Sequence, residues 1–243
     1  MHKSMAGLAL GAVLSLPAAP TAFAAQSIDT AAFTITYQEG IFSTIGSITL
    51  LDESPGAYSF ALDTLNEDMA GVTAQDVSGL GELASAAHAS ILRIDANAGY
   101  RVTGFSLTFT TFGELSPGQL PGFPPGFVSN EAGVFMGIWT PTSYQPLGSQ
   151  YGPLTAQETW EFGASDLTLP EVTDLAFNTW LRAQAVGVDG GGEFAPSLAS
   201  ASIRDAVLHV EVAAIPEPGT WAMLITGLGL LAARRYKSMH FSS

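Results

Sequence analysis

The sequence predicts an all-β fold, an antiparallel β-sandwich of jelly-roll type. Three observations lead there. Apolar and polar residues alternate with period two along most of the chain, Gly and Pro interrupt that alternation at short intervals, and no strand–helix–strand succession occurs. No unit recurs at a fixed period, which argues against a solenoid or propeller.

The chain opens on Met1, His2 and Lys3, weakly positive, followed by an apolar stretch over 5–16 that Pro17 and Pro20 end. Ala22 and Ala24 then supply the small residues that signal peptidase reads, so residues 1–25 are a secretory signal peptide cleaved after Ala24 or Ala25.

The mature domain is expected over 26–215. Residues 32–37 set Phe33, Ile35 and Tyr37 on one strand face, 41–51 form a second strand, and 57–62 place Tyr58, Phe60 and Leu62 on one face. Residues 63–81 read as an acidic loop with one helical turn near 65–69. Two strands follow over 88–94 and 100–112, joined as a hairpin through Asp95, Ala96, Asn97, Ala98 and Gly99. Phe105, Leu107 and Phe109 share a face of the second.

Residues 115–129 form a Pro/Gly loop, 134–139 a strand, and 140–154 a second loop rich in Pro, Gly and Tyr. A short strand is expected over 158–162. Residues 175–186 alternate Leu175, Phe177, Thr179 and Leu181 against Ala176, Asn178, Trp180 and Arg182; a helix also fits, and strand is the reading taken. Residues 189–192 are a turn, and 203–213 close the domain as its last strand.

Composition excludes several functions. The 26–215 region holds four arginines, no lysine and 21 acids, a net charge of −17. Such a surface repels nucleic acid and anionic lipid headgroups. The chain has no cysteine, so no disulfide, thiol chemistry, cysteine-type zinc site or iron–sulfur cluster is available.

Catalytic patterns are absent. His88 and His209 sit in predicted strands, outside any H-E-x-x-H spacing, and no G-x-S-x-G elbow occurs. The acid pairs Asp52 with Glu53, Glu67 with Asp68, and Glu158 with Glu161 read as solvated surface, although a glycosidase also needs two carboxylates. The domain is therefore expected to be non-enzymatic and to need no cofactor. Asp63, Asn66, Glu67 and Asp68, and Asp189 with Glu193, cluster oxygens that suit calcium, but neither cluster matches an EF-hand loop and both read first as solvated turns. The loop aromatics Phe123, Phe127, Trp139, Tyr144 and Tyr151 are the candidate ligand-binding residues. Trp139, Tyr144 and Tyr151 are taken as a surface for sugar rings, with plugs onto the core as the ordinary alternative.

The C-terminal tail is the most specific signal. Pro216, Glu217 and Pro218 precede an apolar run over 219–233 and the basic residues Arg234, Arg235 and Lys237. The run of 15 residues covers about 22 Å as a helix, short of the ~30 Å hydrocarbon core. It spans only with local thinning or snorkelling of the arginines, with the basic end in the cytoplasm as a membrane stop. Pro216 and Pro218 hold the Glu217 backbone extended.

This order of motif, apolar helix and basic stop over 216–237 resembles the PEP-CTERM sorting signal. The resemblance covers only the last thirty residues or so. It implies recognition by exosortase in the inner membrane of an exopolysaccharide-producing Gram-negative bacterium, with Pro216, Glu217 and Pro218 as a processing substrate. It also implies anchoring with the domain facing the periplasm, then delivery to the cell surface or biofilm matrix; an unprocessed single-pass anchor is the alternative. The signal says nothing of the domain's own activity; the first reading for the domain is a structural or adhesive matrix component, and the alternative, from the loop aromatics, an exopolysaccharide-binding module. A secreted hydrolase ranks third.

Overall fold

The computed structural model describes residues 26–38, 46–140, 143–216, 223 and 225–231. The strands in chain order are β1 (Ser27–Asp29), β2 (Phe33–Gln38), β3 (Thr49–Ser54) and β4 (Ala57–Ala61), then helix α1 (Asp63–Asp68) and β5 (Val72–Asp76). After them come β6 (Glu82–Ala96), β7 (Tyr100–Ser116), β8 (Phe127–Thr140), β9 (Ser143–Gly152) and β10 (Glu158–Ala164). The chain continues through β11 (Val172–Val186), the short pair β12 (Val188–Asp189) and β13 (Phe194–Ala195), and β14 (Ser197–Ala214).

Two six-stranded sheets pack face to face. The front sheet runs β1-β2-β6-β11-β8-β9; the back sheet runs β10-β7-β14-β4-β3, with β5 also paired to β14. Every pairing is antiparallel. The all-β sandwich expected from the alternation is what forms, with strands of up to 18 residues at β14.

Alternation decides which side chains fill the space between the sheets. Phe33, Ile35 and Tyr37 from β2, and Leu92 and Ile94 from β6, meet Tyr58 and Phe60 from β4 in one cluster. Phe33 stands edge-on to Tyr58 at 4.9 Å, and Phe109 edge-on to Trp160 at 5.6 Å. Each large side chain buried this way contributes about 1.5–3 kcal/mol against the chain entropy. At one end the filling changes to alanine: Ala74, Ala183, Ala185 and Ala199 form a separate buried layer.

β14 organises the back sheet. One edge pairs with β7 over nearly its full length; the other pairs with β5 at 197–201 and with β4 at 207–211. Between those stretches the strand bulges at Asp205, whose φ is 55°, a left-handed value that Asp tolerates better than most residues. Helix α1 fills the gap. The Asn66 amide accepts the Ala206 N–H at 2.8 Å, and the Leu62 N–H donates to the Ala206 carbonyl at 3.0 Å.

Three expectations need correcting. The segment 95–99 is not a hairpin: β6 belongs to the front sheet and β7 to the back, so the chain crosses between layers. Asn97 makes the crossing specific, since its side-chain amide donates to the Thr30 and Ala31 carbonyls while its N–H donates to the Ala32 carbonyl. The second Pro/Gly/Tyr loop is the edge strand β9, where Pro146 is tolerated because an edge strand has one unpaired side. The acidic 63–81 segment contains strand β5 as well as α1. Residues 41–45 of the expected second strand lie outside the described residues; its second half is β3, which begins at Thr49 and ends at Ser54.

Residues 225–231 are helical and exposed, and among the described residues no helix is long and apolar enough to cross a membrane. The rest of the expected 219–233 run, apart from residue 223, lies outside the described residues. The same holds for the whole signal peptide with Ala22, Ala24 and Ala25, for Glu217 and Pro218, and for Arg234, Arg235 and Lys237. Pro216 is exposed directly after β14, and the tail leaves beside the 97–99 turn, where the Ile215 N–H donates to the Gly99 carbonyl at 2.7 Å.

Candidate functional site: an aromatic surface on the front sheet

On β8, Ala132, Val134, Met136 and Ile138 point into the sandwich. Their neighbours Gly133, Phe135, Gly137 and Trp139 therefore face outward. Register fixes what stands beside them. On the β9 side Trp139 opposes Tyr144, Phe135 opposes Ser149 and Gly133 opposes Tyr151; on the β11 side Gly133 opposes Trp180 and Phe135 opposes Asn178. One outward face thus collects Trp139, Tyr144, Tyr151, Trp180 and Phe135.

The two glycines explain how the rings lie. A Cβ on Gly133 would collide with the Trp180 indole, and a Cβ on Gly137 would collide with the Tyr144 ring. Each glycine is thus a seat on which a neighbouring ring lies across the strand. Trp139 tilts against Tyr144 at 6.4 Å and 53° between planes. Burial against the sheet pushes the Tyr144 hydroxyl above its ordinary pKa. Trp139, Tyr144 and Tyr151 still expose 52%, 45% and 73% of their surface, enough for a ligand to cover. The Trp139 and Gly133 rows are six residues apart on β8, about 20 Å along the strand.

Polar groups border the rings. Arg93 makes a two-point contact with Asp174, Nε to Oδ1 at 2.9 Å and Nη2 to Oδ2 at 3.1 Å, and Asp174 opposes Trp139 in register. That carboxylate, by hydrogen bond and charge, raises the Arg93 pKa further. Glu131 and Arg182 oppose each other one row beyond Gly133 and Trp180. Flat rings with fixed hydrogen-bonding groups at their rim match a sugar chain, whose faces carry C–H groups and whose edges carry hydroxyls.

The structure therefore brings Trp139, Tyr144 and Tyr151 together, and adds Trp180 and Phe135, which the sequence did not single out. It separates Phe123 and Phe127 from them. Phe127 begins β8 at the far end of the strand, and Phe123 lies in the 117–126 loop beside Gly190.

The histidines belong elsewhere. His88 is buried, its Nδ1 2.8 Å from the Asp68 carboxylate and its Nε2 3.0 Å from Ser90 Oγ. The chain Ser90–His88–Asp68 has the hydrogen-bond order of a hydrolytic triad. Ser90 and His88, however, are each only 5% exposed, and neither lines either cleft described for the surface, of about 610 and 520 Å³. A nucleophile must reach a substrate; this chain instead ties α1 to β6. His209 lies half-buried on the back sheet between Ser59 Oγ at 2.9 Å and Thr108 Oγ1 at 3.3 Å.

Four of the six side chains in the oxygen clusters are engaged within the protein itself. Asp63 accepts from Thr49, Asn66 grips Ala206, Asp68 holds His88, and Asp189 accepts the Gly191 N–H. Among the described residues, no three acidic or histidine side chains converge as a metal site.

No family model and no curated protein matches the chain. Among solved structures, it is similar to TmCBM61, solved in complex with β-1,4-galactotriose, at 8% identity and a TM-score of 0.28, over 61% of this chain and 92% of that one. It is also similar to the enzymatically active domain of tailspike protein 4 of bacteriophage CBA120, at 11% identity and a TM-score of 0.20, over 75% of this chain and 19% of that one. The chain thus spans about a fifth of the tailspike domain, and neither likeness is strong enough to carry a function.

Proposed function

We propose that this protein is an exported, non-catalytic, jelly-roll-like β-sandwich that binds exopolysaccharide on the outer face of its front sheet. One observation carries the reading: two outward glycines on β8 seat Trp180 and Tyr144 across the strand, in line with Trp139, Phe135 and Tyr151. Glycine costs strand stability, and here it lets two rings lie flat on the sheet while the Tyr144 ring beside Trp139 stays open to a ligand. The ligand-binding role therefore moves ahead of the purely structural one, and adhesion becomes its consequence.

Export and sorting rest on the ends of the sequence. Signal peptidase would release residues 1–25, and an exosortase would process the chain near Pro216, Glu217 and Pro218. Before that step the tail would hold the domain on the periplasmic side of the inner membrane; afterwards it would reside at the cell surface or in the biofilm matrix.

Native affinity gels containing β-1,4-galactan, hydroxyethylcellulose or polygalacturonate test the binding. The protein should be retarded by at least one neutral polymer, and a variant carrying Trp139→Ala and Tyr144→Ala should be retarded clearly less. Equal retardation of both proteins in every gel would remove the site. Mass spectrometry of the mature chain tests sorting: termini at Gln26 or Ala25 and near Pro216 are expected, and an intact Ser243 in the extracellular fraction would refute processing.

A further inference from the structure

We propose a second polysaccharide site on the opposite face of the sandwich, in the cleft between β5, β7 and β14, which makes the protein a cross-linker of polymer chains. The inference rests on the front-face reading for its ligand class and adds a separate place and consequence.

The cleft holds about 610 Å³, within the range of small-ligand sites. Register places its lining on the outer face of the back sheet. Thr73 and Glu114 flank Ser200 in one row across the three strands, and Phe112 opposes Ser202 in the next. The Arg204 guanidinium lies over the Phe112 ring at 5.2 Å. The inward neighbours Ala199, Ala201 and Ile203 are buried in the core, so the two faces of β14 are cleanly divided.

Among the described residues, the polar side chains here lack hydrogen-bond and ion-pair partners: the hydroxyls of Thr73, Ser200 and Ser202 make no side-chain hydrogen bond, and Glu114 and Arg204 form no ion pair. By contrast, the two histidines and the Asp63, Asn66 and Asp68 side chains are all engaged. Five convergent groups, one acceptor-only carboxylate, one donor-only guanidinium and three hydroxyls that do both, beside a half-covered ring, suit a polyhydroxylated chain. Glu114 and Arg204 balance in charge, which favours a neutral glycan over a uronate.

The two sites face away from each other across a sandwich whose sheets stack about 10 Å apart. A single stiff polymer cannot lie on both, so occupancy of both joins two polymers. Bivalency also raises apparent affinity for a dense matrix without any new contact.

The test uses the same neutral polymers with three purified proteins of equal thermal stability. These are the wild type, the front variant Trp139→Ala with Tyr144→Ala, and the cleft variant Glu114→Ala with Arg204→Ala. Gel retardation reads binding; turbidity and light scattering of polymer mixtures read cross-linking. The wild type should bind and cloud the mixture. Each variant should still bind, about tenfold more weakly, and neither should cloud it. If the front variant loses all binding and the cleft variant behaves as wild type, the second site is wrong and the front site stands. If only the cleft variant loses binding, the front-face reading fails and the cleft remains as a single site, without cross-linking. Absence of binding by the wild type overturns both. Ser200→Trp, which fills the cleft without removing a charge, should reproduce the cleft variant.

Discussion

Tyr144 and Tyr151 are seven residues apart on one edge strand, yet both point to the outer face of the front sheet. Their partners on β8, Trp139 and Gly133, are only six residues apart. The extra residue is Leu147: Gly137 pairs with Pro146 and Met136 with Gly148, so Leu147 has no partner and turns its side chain into the core, 9% exposed. A regular strand would send the two tyrosines to opposite faces. The bulge brings both onto one surface, a placement common where a strand must aim side chains at a site.

Tyr144→Ala and Tyr151→Ala should therefore weaken binding of a neutral polysaccharide in the same direction. Each stacked ring is worth about 1 kcal/mol, or roughly fivefold in Kd. Isothermal titration with a soluble oligosaccharide of whichever polymer retards the protein is the measurement. A strand of strict period two predicts that only one of the substitutions matters. Loss of affinity at neither position would place the ligand off this face.

Gly133→Val offers a sharper test, because it touches no ligand directly. The new side chain would occupy the space of the Trp180 indole and lift the ring from the sheet. Affinity should fall several-fold, about as far as for Trp180→Ala, and combining the two substitutions should add little beyond either alone. Fully additive losses would show that Gly133 does not act through Trp180.

Much of the fold was readable because its core is built from large residues at period two. Phe33, Ile35 and Tyr37, then Phe105, Leu107 and Phe109, announce β2 and β7 without ambiguity. The signal fades where the sheets are packed by alanine. β5 turns only Ala74 into that layer, the last turns of β11 contribute Ala183 and Ala185, and β14 begins with Ala199. Small inward residues leave no hydropathy contrast, so β5 leaves no pattern in the sequence, and the patterns of β6 and β14 begin several residues after the strands themselves. The 95–99 turn failed differently, since short-range turn chemistry cannot tell whether the next strand joins the same sheet. Trp139, Tyr144 and Tyr151 were readable as exposed rings, but Trp180 was not, because its role depends on a glycine 47 positions away at Gly133.

Asp76 should make the fold sensitive to acid. Its buried carboxylate accepts N–H bonds from Gly187 at 2.8 Å, Ser78 at 2.8 Å, Gly79 at 2.9 Å and Gly81 at 3.1 Å. These bonds, the Gly187 one foremost, hold its pKa far below the ordinary carboxylate range. Above about pH 5 the group is ionised in both folded and unfolded chains, and its contribution is complete. As pH falls further the unfolded chain takes up the proton first, and stability declines until the folded group protonates too. Thermal melts from pH 6 to pH 2 should show this fall in the wild type. Asp76→Asn should melt lower at pH 6 and show a shallower slope; identical slopes would mean that other carboxylates govern acid unfolding.

The Ser90–His88–Asp68 chain should behave as a tie and not as a catalyst. His88→Ala leaves Ser90 and Asp68 without their shared partner and should cost about 1–3 kcal/mol, read as a lower urea midpoint. A fluorophosphonate probe, which labels activated serines, should leave the folded protein unmodified. Labelling mapped to Ser90 would overturn the structural assignment and revive the hydrolase reading.

Thr179 stands directly opposite His88 in the register of β11 and β6, fully buried, and its hydroxyl has no hydrogen-bond partner among the described residues. Threonine has nearly the shape of valine, so its presence here is a matter of the oxygen alone. A buried hydroxyl without a partner costs about 1–3 kcal/mol relative to an apolar group of the same outline. Valine also suits the strand equally well. Thr179→Val should therefore raise stability by about 1 kcal/mol, seen as a higher urea midpoint with an unchanged slope. The effect should persist in the Ser90→Ala background, because the Thr179 hydroxyl makes no bond within the Ser90–His88–Asp68 chain. A loss of stability would show that the hydroxyl is bonded after all, and that the polar chain behind α1 reaches as far as β11.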